Sequence, residues 1–263
     1  MHETRQTAPA SLDLPVGPPQ GGGLLPHGFQ LDTHVHAEGL LVYAVSGIAT
    51  MVTQQGTWIA PASRITWTPP GFEHAYRFYG ETEVRVLSLP LGDSAALPAR
   101  PGVFVVTPLL REALLALIDR ATTRPDARER LRAVVIDELV EAVDRSIHLP
   151  EPRDDRLLAV TEALRADPAR PVTLTELGRA AGASERTLSR LFHHELGMGF
   201  RQWRTLLRIH HALLHLGDGM SVTDTAITCG WANPTSFIDA FYAVVGQTPG
   251  RYQAELRATT RTS

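Results

Sequence analysis

The hydrophobic residues of this 263-residue chain change their spacing near residue 108, and this change limits the folds open to it. Before that point, short segments rich in Val, Ile, Thr and aromatic residues end at Gly or Pro, which is typical of β-strands joined by turns. After it, apolar residues recur three or four positions apart, at Leu110, Leu114, Leu117, Leu131, Val135 and Leu139. This spacing predicts two amphipathic helices. The fold class we expect is α+β: an N-terminal β barrel plus two helices, then an all-α domain.

Composition divides the chain further. The first residues are rich in Pro, Gly and Ser, which predicts a flexible tail. The stretch "HLPEPRDDR" marks a domain boundary near residue 150. We therefore expect a tail at 1–23, a β domain at 24–107, a helical hairpin at 108–150, a helical domain at 151–254 and a second tail at 255–263.

The composition also excludes several classes of protein. Hydrophobic residues make up 43% of the chain, so it is neither disordered nor fibrous. The single cysteine, Cys229, excludes a disulfide framework and favours a reducing compartment. No apolar run approaches the length of a membrane span, and the first residues lack the basic start and apolar block of a signal peptide. We expect a cytoplasmic protein without a membrane partner.

The formal net charge of −3 hides an uneven distribution of basic residues. Between residues 179 and 208 the chain carries six Arg against two Glu. Local charge density governs attraction to a polyanion more than the total does. This segment is therefore a candidate contact for nucleic acid.

Residues 173–197 have the layout of a helix-turn-helix. A short helix precedes Gly182, where a tight turn favours positive φ, and Ser184 is placed to cap a second helix. Leu188, Leu191 and Phe192 form the buried stripe of that second helix. Its outer face is then available to read the major groove. The predicted DNA-binding residues here are Ser184, Glu185, Arg186, Thr187, Ser189, Arg190 and His193.

Residues 221–249 repeat this plan about 49 residues further along. Phe237 and Phe241 match Leu188 and Phe192, and Gly230 matches Gly182. Asn suits adenine, while Ser and Thr suit phosphates or base edges. The predicted DNA-binding residues of this second copy are Asn233, Pro234, Thr235, Ser236 and Asp239.

The segment 200–217 between the copies predicts a helix with one apolar and one basic face. The basic face comprises Arg201, Arg204, Arg208, His211 and His215. Two interpretations remain open at this point: the stripe contacts phosphates, or it is simply solvated.

Residues 156–253 resemble the DNA-binding domain of the AraC/XylS family of bacterial transcription regulators. The resemblance rests on the run "S-x-x-x-L-S-R-x-F", met by Ser184, Leu188, Ser189, Arg190 and Phe192, and on "GQTPGRY" at 246–252. It implies sequence-specific binding of double-stranded promoter DNA by both helix-turn-helix units, with RNA polymerase as a further partner. Such regulators are typically activators, although the direction of regulation stays open. Asp239 and Ala240 depart from the pattern, because many members carry basic residues there.

Three histidines of the β domain form a candidate metal site. Alternate residues of a strand point to one face, so His34 and His36 could share an ion. "G-x5-H-x-H" (Gly28, His34, His36) and "P-x-G-x2-H" (Pro69, Gly71, His74) resemble the two cupin motifs. The resemblance implies a divalent metal, Zn²⁺, Ni²⁺ or Fe²⁺, as the candidate cofactor. The carboxylate that completes such a site in cupins is missing, with Glu38 the nearest, so we expect no catalytic residues.

The β domain is therefore expected to be a cupin-like sensor of a small-molecule effector or a metal. Its candidate pocket residues are Tyr43, Trp58, Trp67 and Tyr76, and the alternative is that these aromatic side chains only fill the core. The resemblance also implies a homodimer, for which the hairpin at 108–150 is the candidate surface. Two alternatives to an effector-controlled regulator remain: a cupin metalloenzyme with a helical accessory domain, and a regulator that binds DNA irrespective of any effector.

Overall fold

In a computed structural model, residues 21–118, 124–142 and 147–260 are described. The strands of the N-terminal half alternate short apolar runs with Gly- and Pro-bearing turns, as their composition predicts. They are β1 (Gly21–Leu25), β2 (Gln30–His34), β3 (Gly39–Ala44), β4 (Ile48–Thr53), β5 (Gly56–Pro61), β6 (Arg64–Thr68), β7 (His74–Tyr79), β8 (Thr82–Leu89), β9 (Gly102–Val105) and β10 (Ile147–Pro150).

These strands form two five-stranded antiparallel sheets, the first in the order β1-β8-β3-β6-β9 and the second in the order β10-β5-β4-β7-β2. The sheets share one apolar core, to which Val42 of β3, Met51 of β4 and Phe78 of β7 contribute. Successive side chains of a strand point to opposite faces, so the neighbours of Val42, Leu41 and Tyr43, pack on the outer side of the first sheet.

The helices follow the 3.6-residue spacing of the later sequence. They are α1 (Leu91–Ser94), α2 (Pro108–Ile118), α3 (Pro125–Glu141), α4 (Asp155–Ala166), α5 (Leu174–Ala180), α6 (Glu185–Leu196), α7 (Phe200–Gly217), α8 (Val222–Thr228), α9 (Pro234–Val245) and α10 (Pro249–Thr260). Helices α2 and α3 cover the outer side of the first sheet. The predicted α+β class, with a β-rich first half and a helical second half, is confirmed.

Three element bounds differ from the sequence-based boundaries. β1 begins at Gly21, inside the predicted tail, because Gly21–Gly23 pair with β8. β10 ends the segment predicted as a helical hairpin, since Ile147 and Leu149 are both buried and the prolines at 150 and 152 stop a helix there. α10 continues to Thr260, beyond the predicted domain end at 254. The first twenty residues of the predicted N-terminal tail, the last three of the C-terminal one, and residues 119–123 and 143–146 of the predicted helical hairpin lie outside the described residues.

The second sheet packs its outer face against the helical domain. Ile48, Ile59 and Ile147 of this sheet share a buried cluster with Ile209 and Leu213 of α7. A Cβ added to Gly217 would lie 3.1 Å from Cδ1 of Ile48, so the end of α7 approaches β4 closely. The β domain and the helical domain are therefore joined by an apolar interface.

Within the part of the chain that is described, no helix combines the length and apolar character that crossing a membrane requires.

Candidate DNA-binding surface and histidine cluster

The first helix-turn-helix consists of α5 and α6, and each helix begins at a side-chain cap. Oγ of Ser184 accepts a hydrogen bond from the backbone N–H of Thr187 at 3.1 Å, and Thr173 and Glu176 form a capping box on α5. Gly182 adopts φ +66° in the turn between them. A Cβ at Gly178 would lie 2.5 Å from the carbonyl oxygen of Ala183, so only glycine allows the two helices to meet this closely.

The buried side of α6 orients its outer face. Leu188 and Phe192 are fully buried and pack in the cluster that contains Trp203 of α7. Leu191 and Leu196 are buried as well, and with this side fixed against the domain the opposite side of α6 faces solvent. The residues that line an open cleft of about 430 Å³ on this face are Arg186, Thr187, Ser189, Arg190 and His193.

The charged side chains on this face of α6 differ in their hydrogen-bond and ion-pair partners. Thr175 donates a hydrogen bond to the carboxylate of Glu185, which turns Glu185 toward α5. Arg186 and Arg190 are exposed, and among the described residues neither has an ion-pair partner. Because exposed guanidinium groups donate to phosphates and to guanine, both are available to DNA.

The second helix-turn-helix consists of α8 and α9 and has the same construction. Oδ1 of Asn233 accepts from the backbone N–H of Ser236 at 2.9 Å, and Phe237 and Phe241 are fully buried. Bidentate recognition of adenine needs both amide atoms of an Asn side chain. The cap uses one of the two lone pairs of Oδ1 of Asn233, so an adenine contact by this side chain would have to share the oxygen with the backbone N–H of Ser236.

The outer face of α9 is chemically different from that of α6. Pro234, Thr235, Ser236 and Asp239 are exposed, as the sequence predicts, but the helix carries no Lys or Arg. Ile238 and Tyr242 are also exposed on this helix, and Tyr242 is 58% exposed. Sequence reasoning missed both residues, although their four-residue spacing, about 100° round the helix from Phe237 and Phe241, would have indicated a second apolar stripe. This face presents apolar and acidic groups.

The basic face predicted for α7 is divided in the structure. Arg201 is exposed, whereas Arg204 and Arg208 are half-buried and donate hydrogen bonds to backbone carbonyls of residues 168–172. Burial lowers the pKa of both guanidinium groups. The phosphate-contact interpretation therefore does not hold for Arg204 and Arg208.

Three histidines of the β domain lie together where β2 ends and β7 begins. One ring nitrogen from each of His34, His36 and His74 lies within 4.8 Å of the other two. β2 ends at His34, so His36 is placed by the loop after it, where its carbonyl oxygen accepts from the N–H of Gly71 at 2.8 Å. The structure brings together the three predicted side chains, although His36 does not share a strand with His34.

The ring hydrogen bonds of His34 and His74 involve Nδ1 and not Nε2. Nδ1 of His34 lies 2.6 Å from the carbonyl oxygen of Asp32, and Nδ1 of His74 lies 2.8 Å from that of Phe72. A carbonyl only accepts, so each neutral ring carries its proton on Nδ1 and presents the lone pair of Nε2. Nε2 of His74 is buried without a hydrogen-bond partner. These are features of metal-binding histidines.

Burial favours the neutral form of two of these imidazoles, those of His36 and His74. Burial, with lesser effects of neighbouring His34 and His36, lowers the pKa of His74 to about 4. Burial and the charge of His34 lower the pKa of His36. Glu38 is turned away, because Oε2 of Glu38 accepts from Oγ of Ser88 at 2.6 Å. Among the described residues the cluster offers imidazole ligands and no carboxylate.

The four predicted pocket residues do not line one cavity. Tyr43 and Trp67 lie on the outer side of the first sheet, against α2 and α3, while Trp58 and Tyr76 lie between the sheets. Nε1 of Trp67 donates to the carbonyl oxygen of Pro98, which fixes this ring outside the sandwich. Strand alternation directs Tyr43 and Trp67 away from the space between the sheets, so the two pairs do not form one pocket, and ligand binding by these residues stays a prediction. Tyr76 contacts His74 edge to face, at a centroid distance of 5.5 Å.

Models of known protein families match both halves of the chain. The family model of an AraC-like ligand binding domain matches residues 26–136, and that of a helix-turn-helix domain matches residues 177–255. The HTH-type transcriptional regulator NimR of Escherichia coli (strain K12) is 34% identical over 229 residues, which cover 85% of this chain and 82% of that protein.

Two further matches are shorter. The HTH-type transcriptional regulator GlxA of Rhizobium meliloti (strain 1021) is 37% identical over 95 residues, 36% of this chain and 29% of GlxA. The crystal structure of a probable AraC family transcriptional regulator from Rhodopseudomonas palustris is 25% identical, covers 39% of this chain and 98% of its own, and has a TM-score of 0.37. On the family models and the long match to NimR, this chain belongs to the AraC family of transcription regulators, with a ligand-binding domain ahead of its helix-turn-helix DNA-binding domain.

Proposed function

We propose that α6 and α9 enter adjacent major-groove segments of promoter DNA, and that α6 supplies most of the affinity and sequence preference. The observation that carries this proposal concerns the guanidinium groups of Arg186 and Arg190, which are exposed and have no ion-pair partner among the described residues. Their helix is capped at Ser184 and buried on its other side. Such side chains make bidentate contacts with guanine and neutralise phosphates. α9, which has no basic side chain, contributes shape, hydroxyl and apolar contacts.

A binding series tests this division of roles. A duplex selected from a random pool with the natural protein serves as the cognate site, and a scrambled duplex as the competitor. Arg190→Ala should lower affinity for the cognate site by about 1–3 kcal/mol and reduce its preference over the scrambled duplex. Arg153→Ala, which removes a positive charge outside both reading helices, is the matched control. Equal losses on both duplexes would reduce Arg190 to a phosphate contact, and no loss would refute the reading face.

We further propose that the histidine cluster binds a divalent cation, Zn²⁺, Ni²⁺ or Fe²⁺, and that the N-terminal domain responds to this ion or to a small molecule bound beside it. Three clustered imidazoles, two of which have Nδ1 next to a carbonyl oxygen and so present the lone pair of Nε2, suit these metals. The buried Nε2 of His74, without a hydrogen-bond partner, supports the proposal because a buried polar atom normally has one. When bound, the cation would supply a Lewis-acidic centre for oxygen ligands.

Metal content decides this second part. Tag-free protein is stripped with a chelator, dialysed against each metal in turn and assayed for bound ion, beside His74→Ala and the exposed-histidine control His194→Ala. We expect near-stoichiometric metal in the natural protein and in His194→Ala, and its loss in His74→Ala. Absence of metal from the natural protein after all three dialyses would leave an organic effector as the interpretation of the domain.

A regulator is favoured over a metalloenzyme with a helical accessory domain. Glu38 accepts a hydrogen bond from Ser88, and the cluster found among the described residues contains no carboxylate. A general acid or base beside the cation would be needed for most hydrolytic chemistry. We therefore propose a non-enzymatic role, exercised in the cytoplasm on DNA, by a homodimer that communicates with RNA polymerase.

The exposed faces of α2 and α3 are the proposed dimer surface. Their inner faces are buried on the first sheet, and Leu109 and Val140 remain exposed at 57% and 55%. Sedimentation of the natural protein beside Leu109→Glu and Val140→Glu tests this: a dimer that dissociates in either variant supports the surface, and an unchanged dimer refutes it.

A further inference from the structure

Two arginines of α7 hold the loop between α4 and α5. Nε of Arg208 donates to the carbonyl oxygen of Pro168 at 2.9 Å, and Nη2 approaches that of Ala169 at 3.5 Å. Nη1 of Arg204 donates to the carbonyl oxygen of Val172 at 3.1 Å, and its second terminal nitrogen donates to that of Arg170. Four backbone carbonyls of residues 168–172, in the loop that leads into the first helix-turn-helix unit, therefore lie against these two arginines.

The guanidinium group of Arg208 also contacts the second helix-turn-helix unit. Cζ of Arg208 lies 5.7 Å from the ring centroid of Trp231, in the turn between α8 and α9. Gly230 of that turn has φ +83°, and an added Cβ would lie 2.6 Å from Cα of Ala169 and 2.8 Å from Nη2 of Arg208. The turn of the second unit, the loop of the first unit and Arg208 thus meet in one packed junction.

A helix alone would leave the far unit poorly oriented. α7 joins the two units end to end, and small bends or fraying at its ends would change the angle between α6 and α9. The junction adds a second connection, away from the axis of α7. A planar guanidinium that donates to two carbonyls and lies over an aromatic ring fixes direction as well as distance.

We propose that Arg208, assisted by Arg204, is a positioning residue that sets the spacing and orientation of the two reading helices, and so selects the number of base pairs between the two DNA segments. This inference rests on the proposed reading by both helices. Arg208 itself contacts no DNA in this proposal, because its donors are directed into the protein.

Spacer variants of the cognate duplex test the proposal. One base pair inserted or removed between the two segments turns one segment relative to the other by about 34–36°. The natural protein should lose ~10-fold or more in affinity on these duplexes. Arg208→Gln should bind the cognate duplex more weakly but discriminate against the altered spacers by less than ~3-fold. Arg208→Lys, which keeps the charge but not the planar fork, should fall between the two.

The salt dependence of binding separates positioning from phosphate contact. Loss of one phosphate contact lowers the slope of log affinity against log salt by about 1. The slope should be unchanged in Arg208→Gln. The matched control is Arg201→Gln, an exposed arginine on the same helix, which should keep the full spacer discrimination. Circular dichroism establishes that each variant is folded, and Arg204→Gln serves as the second test variant if Arg208→Gln is not.

Each outcome is decisive. Full spacer discrimination in folded Arg208→Gln or Arg204→Gln overturns the proposal, and so does a salt slope reduced by about 1. A natural protein indifferent to spacer length refutes reading by both helices, and the positioning role with it. That result is distinguishable because it is seen before any substitution is made.

Discussion

The indole Nε1 of Trp203 donates a hydrogen bond to the carbonyl oxygen of Pro150, 3.2 Å away, and so links the buried side of α7 to the end of β10. Trp203 is fully buried. Replacement by Phe keeps most of the apolar contact but leaves the Pro150 carbonyl without this donor. We expect Trp203→Phe to lower the free energy of unfolding by about 1–3 kcal/mol, measured by urea denaturation. A change within error would mean that this link does not stabilise the chain.

Glycines in the two helix-turn-helix turns should respond differently to alanine. Gly182 and Gly230 have φ +66° and +83°, but only at Gly230 would the new Cβ meet other atoms within 4 Å. Gly182→Ala should cost about 1–2 kcal/mol, the strain of the left-handed conformation alone. Gly230→Ala should cost clearly more, since Ala169 must also move. Equal losses in thermal unfolding experiments would show that the Ala169 contact is easily relieved.

Asn233 is expected to act on stability more than on base preference. Asn233→Ala removes the cap of α9 and should destabilise the protein by about 1 kcal/mol. Asn233→Ser restores a capping oxygen and should recover most of this loss. DNA selection with folded Asn233→Ser completes the test, because a changed base preference would show that Asn233 also contacts bases.

His210 should make the protein sensitive to mild acid. Burial, with the charges of His211 and Arg165 adding to it, lowers the pKa of His210 to about 3. Between the ordinary histidine value near 6.5 and that value, the unfolded chain binds a proton that the folded chain does not, so stability falls as the pH falls. From pH 7 to pH 5 this residue should cost about 1–2 kcal/mol.

The comparison variant is His210→Gln, which cannot take up a proton. Urea denaturation of both proteins at pH 7, 6 and 5 isolates the contribution, because other histidines are common to both. The natural protein should lose stability faster than His210→Gln as the pH falls. Parallel curves would show that His210 titrates normally.

A bound cation should protect the β domain against heat. A ligand at 100 times its dissociation constant stabilises the folded state by about 2.7 kcal/mol. We expect Zn²⁺ or Ni²⁺ to raise the unfolding temperature of the natural protein, and to leave that of His74→Ala unchanged. An equal shift in His74→Ala would place the responsible ligands elsewhere in the chain.

Local sequence patterns were sufficient for the helical domain. Caps, glycines in the turns and the buried Leu188 and Phe192 all act within a few residues, so they identified α6 and its exposed face. The three histidines were found from the spacing of His34 and His36 and, for His74, from the resemblance to a cupin motif, although the strand ends at His34 and the loop places His36.

Features that depend on contacts between residues far apart in the sequence could not be predicted from such patterns. Whether Tyr43 faces the sheet interior or α2 depends on the register of β3 against its neighbours, which the alternation does not specify. β10 forms because β5 offers it an edge, with Ile147 opposite Ile59. The roles of Arg204 and Arg208 depend on backbone carbonyls 32 to 40 positions away, and no local pattern indicates these.

The position of β10 has a practical consequence for anyone dividing the molecule into fragments. This strand completes the second sheet, yet it directly precedes α4 and supplies Leu149 to the core around α6. A cut at residue 150 would preserve the sheet edge but remove Leu149 from the helical fragment. A cut before residue 147 would do the reverse. With either cut, one fragment loses contacts that it has in the intact chain. A stable separate helical domain would therefore need redesign of the face of α7 that the cut uncovers.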